Sequence, residues 1–366
     1  MKKRKMTAII SALAVSAGLL AGCGGSSNAT TAAPTSEAAT EAVSAAESSA
    51  EETTAAAAES ESESAAEKTA AAASAEDAVI RVGALKGPTS MGLVNMMDEH
   101  PEYSYTMETA ADAITAGIVS GDLDIALVPA NLASVLYNKT QGGISVIDIN
   151  TTSVLYIVSS DENLASMKDL AGKTVYLTGK GTTPDYVLQY LLAANDMSAD
   201  DVTLEYKSEA TEVASVLAED PDAIGLLPQP FVTAACMQND QLKVVLSLED
   251  EWEKVQSGSI VTGVTIVRNE FLSEHQDLVD EFLAAHEKSA YEVNDNPAAA
   301  AEKIVELGIV AKQPIAEKAI PMCGITCITG DDMKASLSAY LEVLHGQAPE
   351  SVGGTLPADD FYYGVQ

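Results

Sequence analysis

The chain runs to 366 residues and carries 54 acidic against 20 basic side chains, a formal net charge of −34. A surplus of that size excludes a nucleic-acid partner, which needs a basic face, and suits the solvated surface of an exported protein. With 47% hydrophobic residues, the chain beyond its N-terminal segment has enough apolar material for two lobes, each with its own core.

Lys2, Lys3, Arg4 and Lys5 precede the apolar stretch TAIISALAVSAGLLAG, 16 residues that are too short and too small to span a bilayer and that read as an export signal. The stretch ends in LAGC, residues 20–23, which resembles the lipobox of bacterial lipoproteins. Under that reading Cys23 is the lipidation site, 1–23 is a signal peptide, and the chain meets the membrane through a lipid anchor only. The alternative is a plain secretory signal with a chance cysteine. Residues 24–77 are almost entirely Ala, Ser, Thr and Glu, with Val43 as the one large aliphatic side chain. Such a segment buries too little to offset chain entropy and is expected to be a disordered stalk.

Beyond it, short apolar runs alternate with amphipathic segments. AVIRVGAL, YSYTMETA, DIALVPA, VLYIVSS, TVYLTG, VTLEYKS, AIGLLPQ, LKVVLSL and GVTIVRN read as strands. Helical spacing fills the gaps in SMGLVNMMDE, ADAITAGIVSG, NLASVLYN, PDYVLQYLLAAND, TEVASVLAED and FVTAACMQND. After Asn269 the pattern becomes consecutive helices, starting with LSEHQDLVDEFLAAHEKSAYEVND. Strands separated by single helices predict mostly parallel sheets, with ligand sites at the strands' carboxyl ends.

Several segments together resemble the solute-binding lipoproteins of ABC importers, the nitrate, sulfonate, taurine and thiamine-precursor group. They are ALKGPTSMGLVNMM, SGDLDIALVPANLASVLYN, GKTVYLTGKGTTPDYVLQYLLAANDMSADDVTLEY, AIGLLPQPFVTAA and VTIVRNEFLSEHQDLVDEFL. The resemblance implies an α/β, two-lobe periplasmic-binding-protein type II fold. Each lobe would be a mostly parallel sheet flanked by helices, and two crossover strands would form the hinge. It places one lobe at 78–156 and 262–366 and the other at 160–256, with VLYIVSS and VTGVTIVRN as crossovers. It further implies a monomer that captures a small solute by lobe closure and hands it to an ABC permease, with no cofactor and no catalysis.

Four strand ends offer candidate ligand contacts. In TGKGTTPDY, Gly179 and Gly181 allow positive φ and close backbone approach, Lys180 can pair with an anion, and Thr182 or Thr183 can cap the helix behind Pro184. A capped turn and a ligand-gripping turn are both compatible with these residues. The spacing is not that of a nucleotide P-loop. Lys86, Gly87, Pro88, Thr89 and Ser90 occupy the matching place in the first lobe. Asn131 and Gln229 mark two further strand ends, each as ligand contact or as helix start. Asp112 in ETAAD reads as a cap. Tyr156, Tyr186 and Tyr190 can stack on a heterocycle or pack inside the lobes. The ligand class stays open between an anion and a small heterocycle, because Arg81 and Arg268 are the only guanidiniums beyond the stalk.

Enzymatic motifs such as GxSxG and HExxH are missing. His100, His275, His286 and His345 share no metal-like spacing, so no metal site is expected, and Cys236 reads as a small buried hydrophobe. Cys323 and Cys327 are close enough in sequence for a disulfide in an oxidising compartment. Two other functions share the fold: a ligand-binding lipoprotein feeding a sensor, and a cofactor-synthesis enzyme.

Overall fold

The computed structural model describes residues 79–198 and 200–365. Cys23, the signal and the stalk lie outside them. The strands are β1 (Arg81–Leu85), β2 (Ser104–Glu108), β3 (Ile125–Pro129), β4 (Ile144–Thr151), β5 (Leu155–Ser159), β6 (Thr174–Thr178), β7 (Thr203–Lys207), β8 (Ile224–Pro228), β9 (Lys243–Ser247), β10 (Gly263–Arg268) and β11 (Ile325–Ile328).

They form two sheets, ordered β11-β4-β10-β3-β1-β2 and β7-β6-β8-β5-β9. In the first, β1 pairs parallel with β2 and β3, while β10 runs antiparallel to β3 and β4 and β11 antiparallel to β4. In the second, β6 pairs parallel with β7 and β8, and β5 runs antiparallel to β8 and β9. Each sheet therefore has four strands pointing one way, and the opposed strand in mid-sheet is the one that follows a passage between the sheets. This is the two-sheet α/β architecture that the alternating pattern predicts.

Central strands are buried on both faces, so their side chains sort by period two. Ile125 and Leu127 join Val279 and Phe282 of the helix Gln276–Asp295, whereas Ala126 and Val128 join Ile114, Ile118 and Leu136 on the other face. Each fully buried Leu, Ile or Phe of this kind contributes roughly 1.5–3 kcal/mol. The largest core runs through both lobes. It includes Leu191 from the second, Trp252 from the helix Leu248–Glu253, and Tyr340 and Leu341 from the helix Gly330–Gln347.

β11 interrupts the stretch after Asn269 that reads as consecutive helices, and three further differences from the sequence pattern stand out. ISVIDINT forms β4, which the alternation of strands and helices passes over; every residue of this strand is buried. LEDEWE is a short helix, Leu248–Glu253, whose Ser247 side chain accepts from the Asp250 N–H. The long helix expected from 272 to 295 is two, Asn269–Glu274 and Gln276–Asp295. The break at His275 (φ −138°, ψ 47°) turns the chain so that Phe271 reaches the same core as Phe282.

Candidate functional site

Register fixes where a ligand site can lie. Gly263 at the start of β10 stands beside both Pro129 at the end of β3 and Thr151 at the end of β4. Leu155 at the start of β5 stands beside Pro228 at the end of β8. The carboxyl ends of both parallel strand sets therefore lie where the chain crosses between the sheets. The two crossings, 152–154 and 248–262, run side by side, with Thr262 N–H donating to Thr151 O at 3.0 Å. The turns after β1, β3, β6 and β8, where the candidate contacts sit, share this end.

In the first lobe, Gly87 is the N-cap of the short helix Pro88–Met91 with φ 155°, and a Cβ there would meet nothing within 4 Å. Its backbone borders open space. Lys86 is exposed and its ammonium lies near Gly308, just beyond the helix Pro297–Glu306. Pro88 is half-buried. Thr89 is nearly buried and donates its hydroxyl to Leu85 O at 3.4 Å. Ser90 is fully buried, with its hydroxyl on Gly87 O at 3.1 Å. Neither hydroxyl caps the helix, and the Ser90 side chain is closed to a ligand, because the turn folds it inward.

The second-lobe turn closes on itself. Gly179 and Gly181 take φ of 73° and 72°, as their freedom from a Cβ permits. Thr182 is the N-cap of the helix Thr183–Ala194, yet its hydroxyl donates to Gly179 O at 2.6 Å instead of capping. The acceptor at this helix start is Asp185, 3% exposed, whose carboxylate receives Gly181 N–H at 2.8 Å, Gln189 Nε2 at 2.5 Å and Tyr206 OH at 2.7 Å. The protein's own carboxylate thus fills part of the anion-friendly space that TGKGTT advertises. The spacing Thr182-x-x-Asp185 is the capping-box signature and was the available signal for it. Lys180 is exposed and its ammonium lies 5.2 Å from the centre of the Tyr206 ring. Thr183 accepts from Tyr340 OH of the first lobe at 3.4 Å.

Asn131 and Gln229 are used inside the protein. The Asn131 amide lies 3.4 Å from Ser351 O, and Ser134 and Asn138 on the same helix face hold Val352 O. Gln229, 2% exposed, accepts from Thr233 N–H and hydroxyl through Oε1, and its Nε2 lies 3.4 Å from Met322 Sδ. Gln229 is therefore a helix-start residue and a bridge between lobes, closed to a ligand by Met322. Tyr156 adds a second bridge, donating its hydroxyl to Met322 O at 3.0 Å. A recess of 370 Å³ lies at this seam, between Val232, Cys236 and Met237 on one side and Lys318 and Met322 on the other. Tyr190 packs on Trp252 with ring centres 5.0 Å apart, so it is core. Asp112 sits in the first turn of Ala111–Ser120, whose N-cap Ala110 makes no side-chain bond.

Cys323 and Cys327 are free thiols, which corrects the disulfide expectation. Cys323 is buried among Ile320, Ala316 and Ile325, and extended β11 carries Cys327 away from it. The fold brings Cys327 instead to Asp148 on β4 and His286 on the long helix. His286 Nδ1 is 3.0 Å from Asp148 Oδ2, and Thr265 on β10 donates to Asp148 Oδ1 at 2.8 Å. One ligand atom from each of Asp148, His286 and Cys327 lies within 4.8 Å of the others. The sequence spacing of the histidines gave no hint of this, because β4, which supplies the aspartate, was not recognised.

At the far end of the first sheet, Asp124 is gripped by both guanidiniums: Arg81 through Nε at 2.8 Å and Nη2 at 2.5 Å, and Arg268 through Nη2 at 3.0 Å. Burial raises the Asp124 pKa, but the hydrogen bonds from Arg81 and Arg268 outweigh it and hold the carboxyl below its usual range. The 570 Å³ recess lined by these residues and Glu270 faces away from the crossing.

A model of the NMT1/THI5-like family matches residues 108–300, just over half of the chain. The chain belongs to the NMT1/THI5-like family. No curated protein matches it. Among solved structures, an ABC transporter protein of Parabacteroides distasonis superposes with a TM-score of 0.66 at 22% identity, covering 78% of this chain and 99% of the other. The periplasmic aliphatic sulphonate binding protein SsuA of Escherichia coli gives 0.61 at 12% identity over 75% and 90%. A putative periplasmic sulfonate-binding protein of Methylobacillus flagellatus gives 0.56 at 15% identity over 79% and 91%. These likenesses establish the fold of the NMT1/THI5-like chain as that of periplasmic binding proteins and agree with the family resemblance read from its sequence. No helix among the described residues is long and apolar enough to cross a membrane.

Proposed function

We propose that this protein is an extracytoplasmic substrate-binding lipoprotein, anchored through Cys23, that captures a small solute by lobe closure and delivers it to an ABC permease without catalysing a reaction. The observation that carries the reading is two sheets joined, among the described residues, by just two crossings. The crossings lie side by side at Thr262 and Thr151, and beside them Gln229 and Tyr156 of the second lobe hold Met322 of the first. Such an arrangement opens and closes as two rigid bodies, and a ligand that touches both lobes favours the closed one. The lobes are residues 79–151 with 263–365, and 155–247. Lys86, Gly87, Pro88 and Thr89 are the first-lobe contacts. Gly179, Lys180, Gly181, Thr182 and Thr183 border the site from the second lobe, where Asp185 already occupies Gly181 N–H. Family membership and the likeness to sulphonate-binding proteins support this reading.

Mass spectrometry of the solute released from the purified protein, followed by calorimetric rebinding, tests it. One site per chain and a smaller radius of gyration with solute, by small-angle scattering, are the expected results. Binding without contraction would sink lobe closure. Separately, Cys23→Ser should release the protein from membranes, and unchanged membrane fractionation would remove the lipid anchor from the proposal.

A further inference from the structure

Asp148 sits where the first sheet is irregular on both sides. Pairing of β4 with β10 slips once between Gly263 and Val264 and again between Thr265 and Ile266. On the other side, β11 meets β4 at Ile325↔Thr151 and Ile328↔Ile149, so three steps along β11 match two along β4. A bulge of this kind re-aims a side chain, and here it lies at Thr326 and Cys327. Regular pairing would not require either slip. Their joint effect is to surround one buried carboxylate with an imidazole, a thiol and a hydroxyl.

We propose that Asp148, His286 and Cys327 form a binding site for a borderline-soft divalent cation of the zinc type, inside the first lobe and separate from the solute site. The ligand atoms lie within 4.8 Å of one another. Bond lengths to zinc of about 2.0–2.3 Å put tetrahedral ligands roughly 3–4 Å apart, so binding needs shifts of only about an ångström. The donor set selects the metal. Calcium and magnesium require six or more oxygen ligands, and this site offers one carboxylate. A thiolate with an imidazole suits zinc. His286 is fully buried, with Nδ1 facing Asp148 Oδ2 at 3.0 Å and Nε2 without a hydrogen-bond partner. Thr265 is the positioning residue: its hydroxyl fixes the carboxylate, and Asn150 Nδ2 donates to it in turn at 3.2 Å. Cys327 is the least buried of the three, so the entry route and the fourth position lie on its side. Binding exchanges the thiol proton for the cation, and ties β4, β11 and the helix Gln276–Asp295 together.

The test uses the full chain, reduced and stripped with a chelator, then titrated with Zn²⁺ or Co²⁺. One Zn²⁺ per chain is expected, with a higher melting temperature, and Co²⁺ should produce a thiolate-to-metal charge-transfer band. Cys327→Ser, a near-isosteric change at the least buried of the three positions, should abolish the band and weaken Zn²⁺ binding at least tenfold. Cys236→Ser should leave both unchanged. His286→Gln should also lose the band, but its buried position puts folding at risk, so Cys327→Ser is the deciding variant. Absence of any Zn²⁺ binding by the unmutated chain, or a band that survives Cys327→Ser, overturns the site. Neither readout involves the solute, so this outcome is independent of the transport reading.

Discussion

The two lobes present strand-to-helix turns of nearly the same composition, and the turns behave differently. In each, a glycine-bearing loop carries an exposed lysine and leads through a proline into a helix. Around Gly87 the backbone faces open space. Around Gly181 the backbone N–H is already bonded to Asp185, and a Cβ on Gly179 would run into the Thr182 hydroxyl. One acid three residues after the N-cap makes the difference. It takes up the N–H of Gly181, the residue before the N-cap, and its charge opposes a second anion at the same place. Glycine, lysine and hydroxyl groups at a helix start are thus a necessary signal for anion capture and an insufficient one.

The largest effect that can break this contrast is at Asp185. Asp185→Ala leaves Gly181 N–H, Gln189 and the Tyr206 hydroxyl without their shared acceptor, and should cost roughly 3 kcal/mol in urea denaturation. Thr89→Ala in the first-lobe turn should cost no more than about 1 kcal/mol. Equal losses would mean that the second turn is not internally closed.

Asp124, the buried acid at the far end of the first lobe, sharpens the comparison because its partners are charged. Asp124→Asn should cost roughly 2 kcal/mol at pH 7, moderated by the solvent that reaches Arg81. The folded-state pKa is lowered, so this stabilisation is fully present above the unfolded carboxyl value near ~3.9 and is lost as pH falls through the folded value. Stability measured from pH 6 down to pH 2 should fall below about pH 4 in the unmutated protein and fall less in the variant. Parallel curves would remove Asp124 from the acid response.

A smaller effect is expected at the glycines. Gly179→Ala should cost about 1–2 kcal/mol for its left-handed backbone, with the Thr182 collision adding to it. Gly87→Ala should cost about 1 kcal/mol for backbone strain, yet weaken solute binding about tenfold by holding the ligand off the backbone. If calorimetry finds the larger affinity loss at Gly179, the roles of the two turns are reversed. The smallest effect belongs to Lys86→Ala, an exposed position where stability should stay within about 0.5 kcal/mol. A larger loss of stability would mean that the ammonium over Gly308 anchors the end of that helix.

Sequence alone determined the α/β class, nine of the strands and the places where they end, because period-two burial and helix-start chemistry are local properties. It also named Gly179 and Gly181 correctly as points of positive φ. It did not find β4, since an eight-residue strand buried on both faces shows no alternation and lacks the helix that would set it off, nor the four-residue β11, which lies in the stretch read as consecutive helices. Everything that depends on β4 stayed hidden with it: the bulged pairing, the meeting of Asp148 with His286 and Cys327, and the separation of Cys323 from Cys327. Which polar groups remain available was equally out of reach. Ser90, Asn131 and Gln229 look like ligand contacts by type and position, but Ser90 is bonded to Gly87 O in its own turn, Asn131 lies against Ser351 O, and Gln229 is held by its neighbour Thr233 and by distant Met322. Residue type sets which hydrogen bonds a side chain can make. Only the packed chain decides which of them are already made, because Asn131 and Gln229 find Ser351 and Met322 far along the sequence.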